Sequence, residues 1–129
     1  LAAVDHLLAA AVLLDHERDW PVDLEAGRYN TFVHYASPLP QIPQQQTANR
    51  RRVLERIVLE HATKPYFDLI QNQLHRSSAN AQLAGCPEFV AHIQAFAAEV
   101  TDHQARLARN VSALLKEATG LLLGETYHH

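Results

Sequence analysis

The chain has one cysteine, Cys86, and no methionine among its 129 residues. A lone cysteine excludes an internal disulfide, so the fold must rest on packing, and a reducing compartment such as the cytoplasm suits it. A catalytic thiol needs a base beside it to lower its pKa. Cys86 precedes Pro87 and reads instead as the lead-in to a helix. Four glycines in the whole sequence argue against a turn-rich β architecture. There is no phosphate-binding glycine loop, no Gly-x-Ser-x-Gly elbow and no His-Glu-x-x-His zinc motif. The apolar stretch Leu1–Leu14 is broken by Asp5 and His6 and lacks a basic start. It is too short to span a bilayer and does not read as a secretory leader. The opening without methionine suits a mature product or an excised domain, and the closing His128-His129 pair is set aside from any site.

Positive charge is also scarce. The net charge is −3 with histidines neutral, which is not the footprint of a nucleic-acid binder. The charge is uneven. Residues 1–47 hold six acids against Arg18 and Arg28, whereas residues 48–76 hold six bases against three acids. Arg50, Arg51 and Arg52, with Arg56 one turn on, are therefore the candidate anion-facing surface. The plain alternative is a solvated helix face. No aromatic residues are interleaved with these arginines, so a stacking platform for single strands is unsupported.

What is present is helical periodicity. Apolar residues make up 47% of the sequence, enough to offset the entropy of ordering. Val4, Leu7, Leu8, Ala11 and Leu14 recur at helical spacing over about 2–18. Val12 and Leu13 widen that stripe, so the helix is expected to be buried on more than one side. Trp20-Pro21 is expected to stop it. Asp23 is a candidate cap for a second helix over about 24–36, which Gly27 weakens and for which a strand is the alternative. Ser37–Gln46 contains Pro38, Pro40 and Pro43 and reads as a rigid crossover loop. Its Pro40-to-Pro43 spacing is the minimal core of an SH3-type ligand, but the connection explains it as well. A third helix is expected over about 47–63, a fourth over about 65–76 and a polar connection over 77–85, with room for one helical turn.

The last helix is expected over Pro87–Ala118. Phe89, Ile93, Phe96, Val100, His103, Leu107, Val111 and Leu114 are spaced 4, 3, 4, 3, 4, 4 and 3, close to the repeat of about 3.5 residues in helical bundles. A helix of that length measures roughly 48 Å at about 1.5 Å per residue, against roughly 30 Å for a domain of this size. The sequence thus predicts a single all-α domain, an up-down bundle of four to five helices with a long C-terminal helix. The apolar members of that seam, Phe89, Ile93, Phe96, Val100, Leu107, Val111 and Leu114, are the candidate interface, with Leu121–Leu123 adding apolar surface. A homo-oligomer or a partner protein is the expected occupant.

Nine histidines are the other unusual feature. His61 falls on the apolar stripe of the third helix, and a buried imidazole needs a partner or a metal. Tyr29, Phe32, His61, Tyr66, Phe67 and His103 are the candidate lining of a ligand pocket. His61, Glu99 and His103 are a candidate metal set if the third and last helices pack together. The paired Glu-x-x-His motifs of a di-metal bundle are missing. Nothing in the sequence demands a cofactor. The leading expectation is a non-enzymatic assembly module, with a ligand-sensing bundle and a His/Glu metal binder as the alternatives.

Overall fold

The computed structural model describes residues 2–128; of the side chains, those of Leu114, Ala118, Thr119 and residues 121–128 lie outside the described set. The chain is an all-α bundle. Helix α1 spans Ala2–Glu25, α2 Thr31–Ala36, α3 Gln46–Glu60, α4 Thr63–Leu83 and α5 Pro87–His128, with one 3₁₀ turn at Pro43–Gln45 before α3. No strand occurs among the described residues, so the strand alternative for 24–36 is not realised.

Antiparallel packing is legible in the contacts. Ser77 Oγ donates to the Ala3 carbonyl, His6 Nδ1 lies 2.7 Å from Gln73 Oε1, and Tyr66 Oη donates to the Leu13 carbonyl at 2.6 Å. Partner numbers in α4 fall as those in α1 rise. Gln71 Nε2 donates to the Ala97 carbonyl and Thr101 Oγ1, and Phe67 meets the ring of His103, so α5 runs antiparallel to α4 in turn. One apolar cluster joins all five helices: Ala10, Leu14, Phe32, Val33, Val53, Tyr66, Phe67, Ile70, Ile93 and Val100 are among its buried members. Burying each large side chain contributes roughly 1.5–3 kcal/mol. Phe32 and Tyr66 pack edge to face with centroids 4.9 Å apart, a geometry that adds about 1 kcal/mol beyond area.

The helix ends correct several expectations. Helix α1 passes through Trp20-Pro21 and reaches Glu25. Proline removes one amide of the ladder, the one that would bond the carbonyl of Glu17, but burial of Trp20 and Leu24 on either side holds the last turn in place. What ends α1 is Gly27. Its φ is 73°, its N–H bonds to the Leu24 carbonyl, and the Arg28 N–H bonds to the Asp23 carbonyl. This is a Schellman stop, which favours glycine because L side chains disfavour that backbone region. Asp23 is therefore inside α1 and caps nothing. The cap of the short α2 is Asn30, whose side chain accepts from the Val33 N–H. Helix α4 runs on through the polar stretch from Ser77 and ends at Gly85 by the same device. The outer face of α1 corrects another expectation. Val4, Leu8 and Val12 form a ridge, each residue one turn from the next, and all three are exposed.

The proline-rich segment is a built connection. Ser37 Oγ donates to Asn49 Oδ1 at 2.6 Å, and Asn49 Nδ2 donates to the Pro40 carbonyl. Gln41 Oε1 accepts the Asn30 N–H while its Nε2 donates to the Asn30 carbonyl.

Candidate functional site

Two polar constellations follow from this packing. The first lies where α1, α2, α4 and α5 meet. His16 Nδ1 accepts the Thr31 N–H at 2.9 Å, so the ring carries its proton on Nε2 when neutral. Thr31 Oγ1 lies 2.6 Å from His16 Nδ1 and 3.3 Å from Tyr66 Oη. Asn30 is fully buried, and its Nδ2 donates both to the His16 carbonyl and to Asp23 Oδ2. Glu17 is buried, and its Oε2 lies 2.9 Å from His103 Nε2. Burial holds the Glu17 carboxyl above the usual glutamate range, opposed by the hydrogen bond and charge of His103 and by Arg18. The Tyr66 phenol is pushed up to about 12, chiefly by burial, with the Glu17 charge adding to it and the bond to Thr31 opposing it. Glu17, Asn30 and Tyr66 are all buried, so the centre of this constellation is closed to solvent.

The second is an open groove of about 340 Å³ where the α3–α4 corner meets α5. Ile57 and His61 come from the end of α3, Thr63 and Lys64 from the start of α4, and Gln104, Ala108, Val111, Ser112 and Leu115 from α5. A volume of this size is within the range of small-molecule sites.

The structure redistributes the residues expected to form sites. Of the pocket set, Phe32, Tyr66 and Phe67 are packed solid in the core, and Tyr29 is exposed away from them. His103 bonds Glu17, and His61 alone reaches the groove. His61 is not on a buried stripe. It is exposed, caps α3 and adopts φ 52°, because α3 ends at Glu60 rather than continuing to Thr63. The metal set does not assemble: His103 pairs with Glu17, Glu99 is exposed on α5, and no group of three His, Cys, Asp or Glu side chains suited to a metal occurs among the described residues.

Within the seam, Ile93 and Val100 are buried in the chain's own core, and Phe89, Phe96, Leu107 and Val111 pack against it. Leu114 and Leu121–Leu123 lie outside the described side chains. The arginine run is paired along its own helix. Arg51 Nε is 3.0 Å from Glu55 Oε1, Arg52 Nη1 3.9 Å from Glu55 Oε2 and Arg56 Nε 3.3 Å from Glu60 Oε2, while Arg50 borders a small recess with Glu25. Exposed pairs of this kind contribute little to stability, but they halve the anion-attracting charge of that face.

Sequence reasoning missed Glu17, His16, Asn30 and the groove. An acid in the apolar register of α1 was a usable signal for Glu17. Compared with family models, curated proteins and solved structures, the chain matches none, so its function is argued from geometry. No described helix is long and apolar enough to cross a membrane.

Proposed function

We propose that this chain is a non-catalytic assembly module in which the C-terminal length of α5 pairs with a second copy. One observation carries the reading. Helix α5 has 42 residues and α4 has 21, about 63 Å and about 32 Å at the standard rise. The neighbour that covers α5 is therefore half its length. Groove contacts from the α3–α4 corner extend the covered part to Leu115, and the helix continues to His128. A closed pair of identical chains is the simplest way to cover such a surplus. The exposed ridge of Val4, Leu8 and Val12 on α1 adds apolar surface that an assembly would bury.

Sedimentation equilibrium of the full chain over a range of micromolar concentrations tests this. The expected mass is that of a dimer or higher closed oligomer, reverting to a monomer when the chain is ended after Lys116. A monomer mass for the full chain at every concentration overturns the reading.

A further inference from the structure

The groove at the α3–α4 corner has walls of one character and a rim of another. Ile57, Ala108, Val111 and Leu115 supply its apolar lining, and His61 and Lys64 line it from the α3–α4 corner. Among the described residues, Lys64 is the one lining side chain with a fixed charge, and no carboxylate lines the groove. Asp68 approaches Lys64 at 3.8 Å, but both side chains are largely exposed, and such a pair is too weak to occupy the ammonium. Helix α4 begins at this rim, and Ala62 supplies no side-chain cap, so the positive end of that helix adds to the charge of Lys64.

His61 is a second polar group at this corner of the groove. Helices α1 and α4 end on Gly27 and Gly85, both at positive φ, whereas α3 ends on His61 at φ 52°. A non-glycine residue in that region costs about 1–2 kcal/mol. The left-handed turn closes α3, since the His61 N–H bonds the Arg56 carbonyl and the His61 carbonyl accepts the Lys64 N–H, while the imidazole makes no hydrogen bond among the described residues. That imidazole is exposed beside Lys64 at the groove and is free to bond a ligand.

We propose that this groove binds a small amphipathic acid, with its apolar chain against Ile57, Ala108 and Val111 and its carboxylate between Lys64 Nζ and the His61 imidazole. The inference is independent of self-association and concerns a different part of α5.

Dodecanoate, below the concentration at which it aggregates, is the probe. Titration of the full chain by calorimetry, with amide shifts followed by NMR, is expected to give saturable binding whose shifts centre on Gln104, Ala108 and Ser112. Lys64→Glu reverses the rim charge at an exposed position and is expected to weaken binding about tenfold or more. Ala108→Phe fills the floor from an exposed helix position and is expected to abolish it. His61→Gly is expected to weaken binding while raising Tm, a combination that a purely structural histidine would not give. Acetate, which has the charge without the chain, and dodecyltrimethylammonium, which has the chain with the opposite charge, are expected not to bind in the groove. Absence of dodecanoate binding, equal binding of the cationic amphiphile, or undiminished affinity in both Lys64→Glu and Ala108→Phe overturns the proposal.

Discussion

His103 Nε2 lies 2.9 Å from Glu17 Oε2 and so ties the last helix to the first. Burial raises the Glu17 pKa, which fixes the sign of its contribution. The native carboxyl holds its proton more tightly than the unfolded one. Between the ordinary glutamate value and the raised native value, the native state therefore binds more protons, and stability falls as pH rises through that window. Glu17→Gln removes the titration and keeps an acceptor for the His103 ring. The variant is expected to lose this slope and to equal or exceed the parent in stability above the window. Urea midpoints from mildly acidic to neutral pH check this. An unchanged slope assigns it to another group.

Every polar group of Asn30 has a hydrogen-bond partner. Its N–H and carbonyl are matched by Gln41, its Oδ1 caps α2, and its Nδ2 bonds both His16 and Asp23. Asn30→Ala removes the cap and leaves the buried acceptors short of a donor, a loss of about 2–4 kcal/mol. Asn30→Asp keeps the cap but sets a second carboxylate beside Asp23, where the present contact is 3.0 Å, and is expected to be at least as damaging at neutral pH. Chemical denaturation of both variants measures this, and a loss below about 1 kcal/mol for Asn30→Ala would show that the network is slack.

The long helices were readable in the sequence. Helical period marked α1, α3, α4 and α5, because each long helix repeats its apolar face over several turns. Helix ends were less readable. Gly27 could weaken a helix interior or stop a helix, and only the packing of Trp20 and Leu24 carries α1 through Pro21 to make it a stop. The polar stretch from Ser77 disguised the last third of α4, because the Ser77 hydroxyl is satisfied by the Ala3 carbonyl, 74 residues away in sequence. The seam of α5 was visible, but spacing cannot tell a helix of the same chain from one of a second copy. Ile93 and Val100 turned out to face α4 and the rest of the core. The site residues were hardest, since Glu17 meets His103 across 86 positions and no local pattern encodes that pairing.

Tyr66 gives an alkaline counterpart to Glu17. Its phenol is raised from the ordinary value near 10 to about 12, so the native state keeps a proton that the unfolded chain releases. The associated stability is complete below pH of about 10 and is lost as pH rises to about 12, a change of up to about 3 kcal/mol. Tyr66→Phe lacks this titration. It is expected to be less stable by about 1 kcal/mol at neutral pH, through loss of the bond to the Leu13 carbonyl. Above pH 10 the parent is expected to lose that advantage, and the two stability curves cross. Denaturant midpoints checked against tyrosinate absorbance follow both effects, and parallel curves through this range would refute the assignment to Tyr66.

The backbone of His61 makes a prediction that needs no ligand. At φ 52°, glycine is freer than histidine in the native state but also freer in the unfolded chain. The first effect favours His61→Gly by about 1–2 kcal/mol, and the second opposes it by about 0.4–1 kcal/mol. The net gain is expected to be about half to one kcal/mol, a rise in Tm of a few degrees for a chain of this length. His61→Val moves the other way, because branching at Cβ crowds the left-handed region further. The order of melting temperatures is therefore glycine above histidine above valine, measured by circular dichroism on protein without added amphiphile. Should the glycine variant melt below the parent, the imidazole is holding the α3–α4 corner together, and its strained backbone has a structural reason.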